Sequence, residues 1–161
     1  MKAEYENLEY RQGVIAYIYD ADGNFLLVNL KEYKENEWNF VGGGKDEGEN
    51  DQQALFREIK EELNLDPTDF TCIHQCEEPL KYDFTDAGIE EGIKRGRLFR
   101  GQIKEQFFMK FIGDKKKIKI EEDEINKGEW VRASDLEKYL IFPDQYIYFI
   151  SIYEKERFFL Y

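Results

Sequence analysis

The sequence predicts an α+β sandwich, in which a mixed sheet is flanked by two or three helices. β-rich runs and amphipathic helical runs are mixed along the 161 residues without the regular strand–helix alternation of a parallel α/β sheet. Hydrophobic residues make up 42% of the chain, which is enough to fill one core. No repeat, Pro/Ser-rich linker or low-complexity tract marks a boundary, so residues 1–161 are expected to form one domain.

The strand predictions depend on β-rich runs and on the turn residues between them. Residues 13–19 and 24–31 are two such runs, and the turn-forming tetrapeptide Asp-Ala-Asp-Gly at 20–23 joins them as a hairpin. Residues 38–41 are expected to form a short strand that leads into the glycine-rich loop GGGKDEGE. Three further strands are expected over 70–76, 102–112 and 129–132.

One helix has both of its ends marked in the sequence. Asn50 is a favourable N-cap, and Gln53 stands three residues later, as in a capping box. Asn64 tolerates the left-handed conformation that often ends a helix, and Pro67 follows it. Apolar residues lie at helical spacing between these ends, at Leu55, Phe56, Ile59 and Leu63.

Two more helices are expected near the end of the chain. Ser134 is expected to cap a brief helix that ends at about Leu140. Pro143 then precedes a longer aromatic helix from about Asp144 to Phe159. Tyrosines and phenylalanines of this last helix can form a dimer seam or cover the sheet, so monomer and homodimer both stay open.

The charge of the chain limits its partners. It contains 23 Lys and Arg against 35 Asp and Glu, a net charge of −12. This balance argues against a broad nucleic-acid groove and against an anionic membrane surface. A phosphate substrate would need a local basic patch or a metal cation to overcome the acidic field.

The sequence favours a cytoplasmic location. Its start has no secretory signal, and the longest apolar stretch, around 146–153, falls short of the roughly 18 residues of a membrane span. The two cysteines, Cys72 and Cys76, fit a reducing compartment. They alternate with His74 on one predicted strand, but positions i and i+4 lie about 13 Å apart, too far for both sulfurs to bind one zinc ion.

Three glutamates on the first helix carry the candidate chemistry. Glu58, Glu61 and Glu62 fall at i, i+3 and i+4 and therefore share one face, away from the apolar stripe. Three carboxylates this close repel one another unless a cation lies among them, and hard oxygen ligands suit Mg²⁺ or Mn²⁺. The alternative is an acidic helix face that is simply solvated.

The residues around this helix resemble the signature of the Nudix hydrolases. The stretch from Gly43 to Leu65 reads GGKDEGENDQQALFREIKEELNL, with Glu49 and the run REIKEE in the family's spacing. It departs at Asn64, where the family has glycine. The resemblance implies a Nudix-type α/β/α sandwich with a mixed sheet and a catalytic loop–helix–loop. It also implies hydrolysis of a nucleoside diphosphate linked to another group.

The resemblance implies roles for individual residues. Arg57 and Glu49 form an orienting pair, and Lys45 in the same loop is a candidate substrate contact. Metal ligands are expected at the carbonyl of Gly43 and at the carboxylates of Glu58, Glu61 and Glu62. The bound Mg²⁺, or Mn²⁺ in its place, would neutralise the phosphate chain and activate water.

Segments outside this signature are similar to the bacterial branch that includes RNA pyrophosphohydrolases and dinucleoside polyphosphate hydrolases. They include Tyr10-Arg11, Trp38-x-Phe40 and residues 100–114 and 122–131. In that branch a loop glutamate approaches the metals and an N-terminal arginine contacts phosphate. The similarity therefore implies that Glu124 is a metal ligand or general base and Arg11 a phosphate contact. Glu62 is the other candidate base.

A cluster of basic residues is the local patch that a polyphosphate or an RNA 5′ end would need. It comprises Lys94, Arg95, Arg97 and Arg100, followed by Lys104. We assign substrate-binding roles to Arg95, Arg97 and Arg100, against the alternative of a solvated basic loop.

Three functions stay open at this point. The first is a Mg²⁺-dependent hydrolase of dinucleoside polyphosphates or 5′-triphosphate RNA ends. The second is a pyrophosphatase for free or damaged nucleoside triphosphates. It is favoured by the acidity of the chain and by VGGGK at 41–45, where the branch has Pro-Gln-Gly-Gly. The third is a Nudix-like binding module without catalysis, which the intact glutamates disfavour.

Overall fold

A mixed sheet forms the centre of the molecule. The computed structural model describes residues 1–160, apart from the side chain of Cys72. Within this part of the chain, six strands form the sheet in the order β3-β5-β1-β2-β6, and β4 also pairs with β5. Strands β1 and β5 run parallel, and the other pairs are antiparallel. The strands are β1 (Tyr10–Tyr19), β2 (Asn24–Leu30), β3 (Phe70–Gln75), β4 (Leu80–Asp83), β5 (Gly101–Phe111) and β6 (Ile125–Arg132).

Helices cover both faces of the sheet. They are α1 (Asp51–Leu63), α2 (Asp86–Lys94), α3 (Leu136–Tyr139) and α4 (Gln145–Glu156). Short 3₁₀ turns occur at Ala3–Tyr5, Pro67–Asp69, Lys115–Lys117, Ala133–Asp135 and Arg157–Phe159. None of the helices within residues 1–160 combines the length and apolar character that crossing a lipid bilayer requires.

Strand β1 is buried on both faces and separates two hydrophobic clusters. Successive side chains of a strand point to opposite faces, so its residues alternate between the clusters. The cluster on the α1 side includes Val14, Ala16, Ile18, Leu55 and Ile59. The cluster on the α4 side includes Ile15, Tyr17, Tyr19, Phe149 and Ile152. The predicted sandwich of a mixed sheet between helices is confirmed.

Both predicted ends of helix α1 are present. The Asn50 side chain accepts a hydrogen bond from the Gln53 N–H at 2.9 Å, and the Gln53 side chain accepts one from the Asn50 N–H at 2.9 Å. This is the reciprocal capping box. At the other end Asn64 is left-handed, with φ 56° and ψ 32°, and its N–H donates to the carbonyl of Lys60. Local sequence therefore determines the limits of the helix that carries the acidic residues.

The left-handed Asn64 yields a stability prediction. Asn64→Gly is expected to raise the free energy of unfolding by about 0.5 kcal/mol, since glycine adopts positive φ without the Cβ contact that penalises other residues. Gln52→Gly, at an exposed position inside α1, is the control and is expected to lower it by about 1 kcal/mol. Urea unfolding of both variants measures the two values. A loss of stability in Asn64→Gly would contradict this view of the turn.

The expected strand at 38–41 is wrong. This segment enters the gap between β1 and β2 and bonds first to one strand and then to the other. Asn39 exchanges hydrogen bonds with Val28 of β2, and the Ala16 N–H of β1 donates to the carbonyl of Val41 at 2.8 Å. Its contacts are therefore isolated bridges, the last of which joins Gly13 and Gly44. The predicted hairpin is present, and its two strands pair next to the turn, where Tyr19 lies opposite Phe25.

Other differences concern elements with weak local patterns. Strand β4 and helix α2 were not predicted from the sequence. Ser134 does not cap α3, which begins at Leu136 with Asp135 in the N-cap position and no side-chain cap. The last helix ends at Glu156 and tightens into a 3₁₀ turn over Arg157–Phe159.

Candidate active site

The glycine-rich loop lies between β1 and helix α1. The Val14 N–H donates to the carbonyl of Gly43 at 2.9 Å, which ties the loop to the strand. A Cβ built on Gly43 would overlap the carboxylate of Glu58. The backbone of Gly43 and this carboxylate are therefore in direct contact, and only glycine leaves room for it. A carbonyl has two lone pairs, so that of Gly43 still has one acceptor position besides its bond to Val14.

Arg57 joins the loop to the helix. Its guanidinium donates to Glu49 at 2.6 and 2.9 Å and to the carbonyl of Gly44 at 2.8 Å. It also donates to Glu58 at 2.9 Å and to Glu61 at 3.1 Å. Hydrogen bonds from Arg57 lower the pKa of Glu49 to about 2. The structure thus places Arg57 against Glu49, and the same side chain reaches two of the three acidic residues of the helix.

The three helix glutamates differ in environment. The Glu58 side chain is 13% exposed, that of Glu61 is 59% exposed, and Glu62 is buried. The carboxylate of Glu62 accepts a hydrogen bond from the Gly42 N–H at 3.3 Å. Burial, with repulsion from Glu58, raises the pKa of Glu62 to about 8. Burial also raises the pKa of Glu58. The acidic face is therefore desolvated at two positions and solvated at the third.

Glu124 approaches this pair from the loop before β6. That loop is attached to the end of α1, because the Lys119 N–H donates to the carbonyl of Leu63 and the Glu121 N–H to that of Glu62, each at 3.0 Å. The charge of Glu124 contributes to the raised pKa of both Glu58 and Glu62. The structure thus brings Glu124 into electrostatic range of both carboxylates.

A dication fits the donor chemistry of this face. The groups that converge are carboxylate oxygens, which are the ligands that Mg²⁺ and Mn²⁺ prefer. In the part of the chain that the structure describes, no three acidic, His or Cys side chains stand together as a ready-made metal site. Arg57 bonds to both Glu58 and Glu61, and the side chain of Glu61 is largely exposed. Glu58 and Glu62 are the pair best placed to bind a cation.

Arg11 and Lys104 lie on the other side of the glycine loop. A Cβ on Gly44 would overlap the guanidinium of Arg11, so this side chain packs against the loop. Lys104 of β5 lies opposite Gly13 of β1 in the parallel register. Burial and the charge of Arg11 lower the pKa of Lys104 to about 8, and Glu62 and Glu58 counteract this shift. Lys104 is therefore within electrostatic range of both Arg11 and the acidic pair.

Sequence reasoning gave Lys104 no role of its own. It was named only as the residue that follows the basic cluster. A usable signal was present, since Lys104 interrupts a strand that continues with apolar residues from Phe107 to Met109. A charged residue in such a strand is expected to need a partner or a ligand.

Three of the remaining predicted cations form ion pairs. Arg95, at the end of α2, pairs with Glu32 and Glu91, each at 3.2 Å. Arg100 pairs with Asp83 at 2.9 Å. Lys45 pairs with Asp51 at 2.6 Å and lies within electrostatic range of Glu49. Arg97 is exposed.

A cavity of about 860 Å³ opens beside Lys104. Its remaining walls come from β1, the segment 33–40, β4, the start of α2 with the loop before it, and the start of α4 with the loop before it. Besides Lys104, the lining is rich in aromatic side chains, at Tyr10, Tyr33, Phe40, Tyr82, Phe84, Phe142 and Tyr148. Burial raises the pKa of Tyr82 to about 12, so its hydroxyl stays neutral. An apolar wall of this kind, next to cations and carboxylates, suits a ligand with one flat and one anionic part.

His74 and Cys76 lie away from this site. His74 bonds to Glu156 at 2.7 Å and stacks on the ring of Phe159. The thiol of Cys76 is buried. The side chain of Cys72 is outside the described part of the structure. These contacts give His74 and Cys76 packing roles.

Comparison with known proteins identifies the family. A family model described as NUDIX domain matches residues 9–149. The RNA pyrophosphohydrolase of Zymomonas mobilis is 29% identical over 153 residues, which cover 93% of this chain and 94% of that protein. The protein of the same name from Sphingopyxis alaskensis is 28% identical over 140 residues, 86% of this chain and 87% of that one.

Solved structures share the fold. The dihydroneopterin triphosphate pyrophosphohydrolase of E. coli superposes with a TM-score of 0.68 at 18% identity, covering 94% of this chain and 98% of that one. A binary complex of the C. elegans Ap4A hydrolase gives a TM-score of 0.64 at 24% identity, covering 92% and 97%. Because the family model spans most of the sequence, the chain belongs to the Nudix family of hydrolases, enzymes that act on acid anhydrides.

Proposed function

We propose that this protein is a Mg²⁺-dependent Nudix hydrolase that cleaves a phosphoanhydride bond in nucleoside polyphosphates. Its substrates are dinucleoside polyphosphates or 5′-triphosphate RNA ends. One observation carries the proposal: the desolvated pair Glu58 and Glu62 lies within electrostatic range of Lys104, which also lines an aromatic cavity. A polyphosphate attached to a nucleoside has the matching parts.

The chain's own residues hold and orient the reacting groups. Glu58 and Glu62 would bind Mg²⁺, joined by Glu61, Glu124 and the carbonyl of Gly43. A bound Mg²⁺ or Mn²⁺ supplies charge neutralisation for phosphate oxygens and lowers the pKa of water. Arg57 fixes the loop against the helix through Glu49. Removal of the proton from the attacking water falls to a carboxylate, Glu62 or Glu124.

The cavity supplies the nucleoside site. Aromatic walls stack on any base, since every base has a π-face. Lys104 lines this cavity and interacts electrostatically with the acidic pair and with Arg11, so these two cations are the candidate contacts for the phosphate chain. The curated relatives named RNA pyrophosphohydrolase and the solved Ap4A hydrolase support this substrate class. The family match over 9–149 supports our proposal that residues 1–161 act as one domain. We propose that this domain acts as a monomer or a homodimer.

A second candidate is a pyrophosphatase for free or damaged nucleoside triphosphates. It is favoured by the ion pairs of the basic cluster. Arg95 and Arg100 are bound to acidic side chains, which leaves less free positive charge for the nucleotides that follow an RNA 5′ end. The net charge of −12 also favours the pyrophosphatase, because it opposes the binding of an RNA chain.

A substrate panel separates the two candidates. The purified protein is incubated with Mg²⁺, and in parallel with Mn²⁺, on 5′-triphosphate RNA, diadenosine tetraphosphate and the free nucleoside triphosphates, and products are identified by mass spectrometry. We expect kcat/KM for the RNA or the dinucleotide to exceed that for every free nucleotide by at least about tenfold, about 1.4 kcal/mol. A preference for a free nucleotide would select the pyrophosphatase. Absence of hydrolysis on the whole panel would contradict both.

A further inference from the structure

Arg11 and Lys104 are neighbouring cations that hold no acidic side chain in a salt bridge within residues 1–160. Neither side chain makes a hydrogen bond in this part of the chain, although the sequence contains 35 acidic residues. The guanidinium of Arg11 packs on Gly44 and lies within electrostatic range of Lys104. Glu62 and Glu58 attract Lys104 without forming a salt bridge to it. The hydrogen-bond donors of both cations are therefore left for an anionic ligand.

The surrounding backbone gives Lys104 access to the phosphate path. Lys104 lies opposite Gly13 in the sheet, so both face the α4 side. A Cβ on Gly13 would overlap the carbonyl oxygen of Gly43 and lie 3.5 Å from Cγ of Lys104. Because Gly13 has no side chain, nothing at that position separates the stem of Lys104 from the glycine loop that contacts Glu58.

Lys104 also lines the aromatic cavity, together with Tyr33 and Tyr82, and its charge acts on Glu62. A nucleoside seated in the cavity must therefore extend its phosphate chain past Lys104 to reach the acidic pair. In that arrangement, the phosphate attached directly to the nucleoside lies nearest to Lys104.

We propose that Lys104 is a specificity-determining residue that binds the phosphate joined to the nucleoside, with Arg11 beside it. This inference rests on the proposed function and goes further, because it names the residue that couples the nucleoside cavity to the acidic face. Lys104 thereby makes the site require a phosphorylated nucleoside. Inorganic polyphosphate lacks the nucleoside, and a free nucleoside lacks the charge.

Lys110 is a matched control. It lies on the same strand and the same face as Lys104, and both side chains are half-buried. Strand geometry places it about 20 Å further along β5, and the lining of the cavity does not include it. Removing this lysine should have little effect on phosphate binding. A comparison of the two lysines therefore separates a specific contact from the general loss of one positive charge.

The first test is binding of α,β-methylene ATP to the full chain with Mg²⁺, measured by calorimetry. We expect Lys104→Gln to weaken binding at least about tenfold, since hydrogen bonds to charged groups are strong. Lys104→Arg should restore binding to within about threefold, because a guanidinium also donates charge-assisted hydrogen bonds to phosphate oxygens. Lys110→Gln should change it by less than about twofold. Equal effects of Lys104→Gln and Lys110→Gln, or none, would overturn the proposal.

The second test needs no variant and therefore does not depend on the folding of one. Lysine amines of the wild-type protein are acetylated with and without the analogue, and each lysine is quantified by mass spectrometry. We expect the analogue to protect Lys104 at least about fivefold and the equally half-buried Lys110 less than about twofold. Unprotected Lys104 in the saturated protein would overturn the inference.

These outcomes distinguish a failure of the inference about Lys104 from a failure of the proposed function. If the wild-type protein hydrolyses the panel but Lys104 is neither protected nor needed for binding, only this inference fails. If the wild-type protein neither binds the analogue nor hydrolyses any substrate, the proposed function fails, and the inference fails with it.

Discussion

Glu62→Gln is expected to lower kcat on the best substrate of the panel on the order of a thousandfold, about 4 kcal/mol. Glu62 is buried on the acidic face, and its carboxylate sits against the Gly42 N–H and near Glu58. Glutamine has nearly the same shape but carries no charge, so it binds a dication poorly. Steady-state rates with Mg²⁺ and with Mn²⁺ measure the loss.

The fold is expected to survive this change. Burial and Glu58 both disfavour the charged form of Glu62, so the neutral glutamine should begin thermal unfolding in EDTA no earlier than the wild type. Glu47→Gln is the control, because Glu47 is an exposed residue of the neighbouring loop. It should keep activity within about twofold. If Glu62→Gln retained a tenth or more of the wild-type rate, the assigned role of this carboxylate would be wrong.

Gly42→Ala is expected to lower the free energy of unfolding by about 3 kcal/mol, the largest stability effect we predict. Gly42 has φ +147°, a region that L side chains rarely adopt, and its Cβ would overlap the carbonyl oxygen of Val14 and approach Cα of Ile15 to 2.9 Å. Both contacts are backbone atoms of β1, which cannot move without disturbing the core. Urea unfolding at neutral pH measures the change.

Gly48→Ala separates strain from contact. Gly48 also has positive φ, +85°, but nothing lies within 4 Å of the added Cβ. We expect it to cost only about 1 kcal/mol, the penalty of the left-handed region itself. Equal losses in the two variants would show that the close approach of Gly42 to β1 contributes little.

Local signals made α1 predictable. Asn50, Gln53 and Asn64 lie at its ends and act within a few residues, so the limits of the helix follow from neighbouring sequence. The segment 38–41 has an equally strand-like composition, yet its conformation depends on a gap between β1 and β2 that no local pattern reveals. Long-range geometry decides such segments.

Helix α2 and strand β4 escaped prediction for a related reason. Helix α2 contains Gly88 and Gly92, which lower its intrinsic helix propensity, and one buried residue, Ile89, anchors it. Strand β4 has four residues that alternate between half-buried and exposed, and it depends on pairing with β5. In both elements, tertiary contacts outweigh the local preference.

The candidate site shows the same difference between local and long-range signals. The spacing of Glu58, Glu61 and Glu62 on one helix was visible in the sequence, whereas the meeting of Arg11 and Lys104 depends on the parallel register of β1 and β5. That register joins segments far apart in the chain. The ion pairs of Arg95 and Arg100 were likewise hidden, because their partners Glu32 and Asp83 come from other elements.

The most direct test of the central claim is a crystal structure with Mn²⁺ and α,β-methylene ATP, with anomalous data collected at the manganese edge. We expect an anomalous peak in contact with the carboxylates of Glu58 and Glu62, and the nucleoside in the aromatic cavity. Manganese bound only at other residues, with the nucleotide in place and both carboxylates facing solvent, would contradict the account.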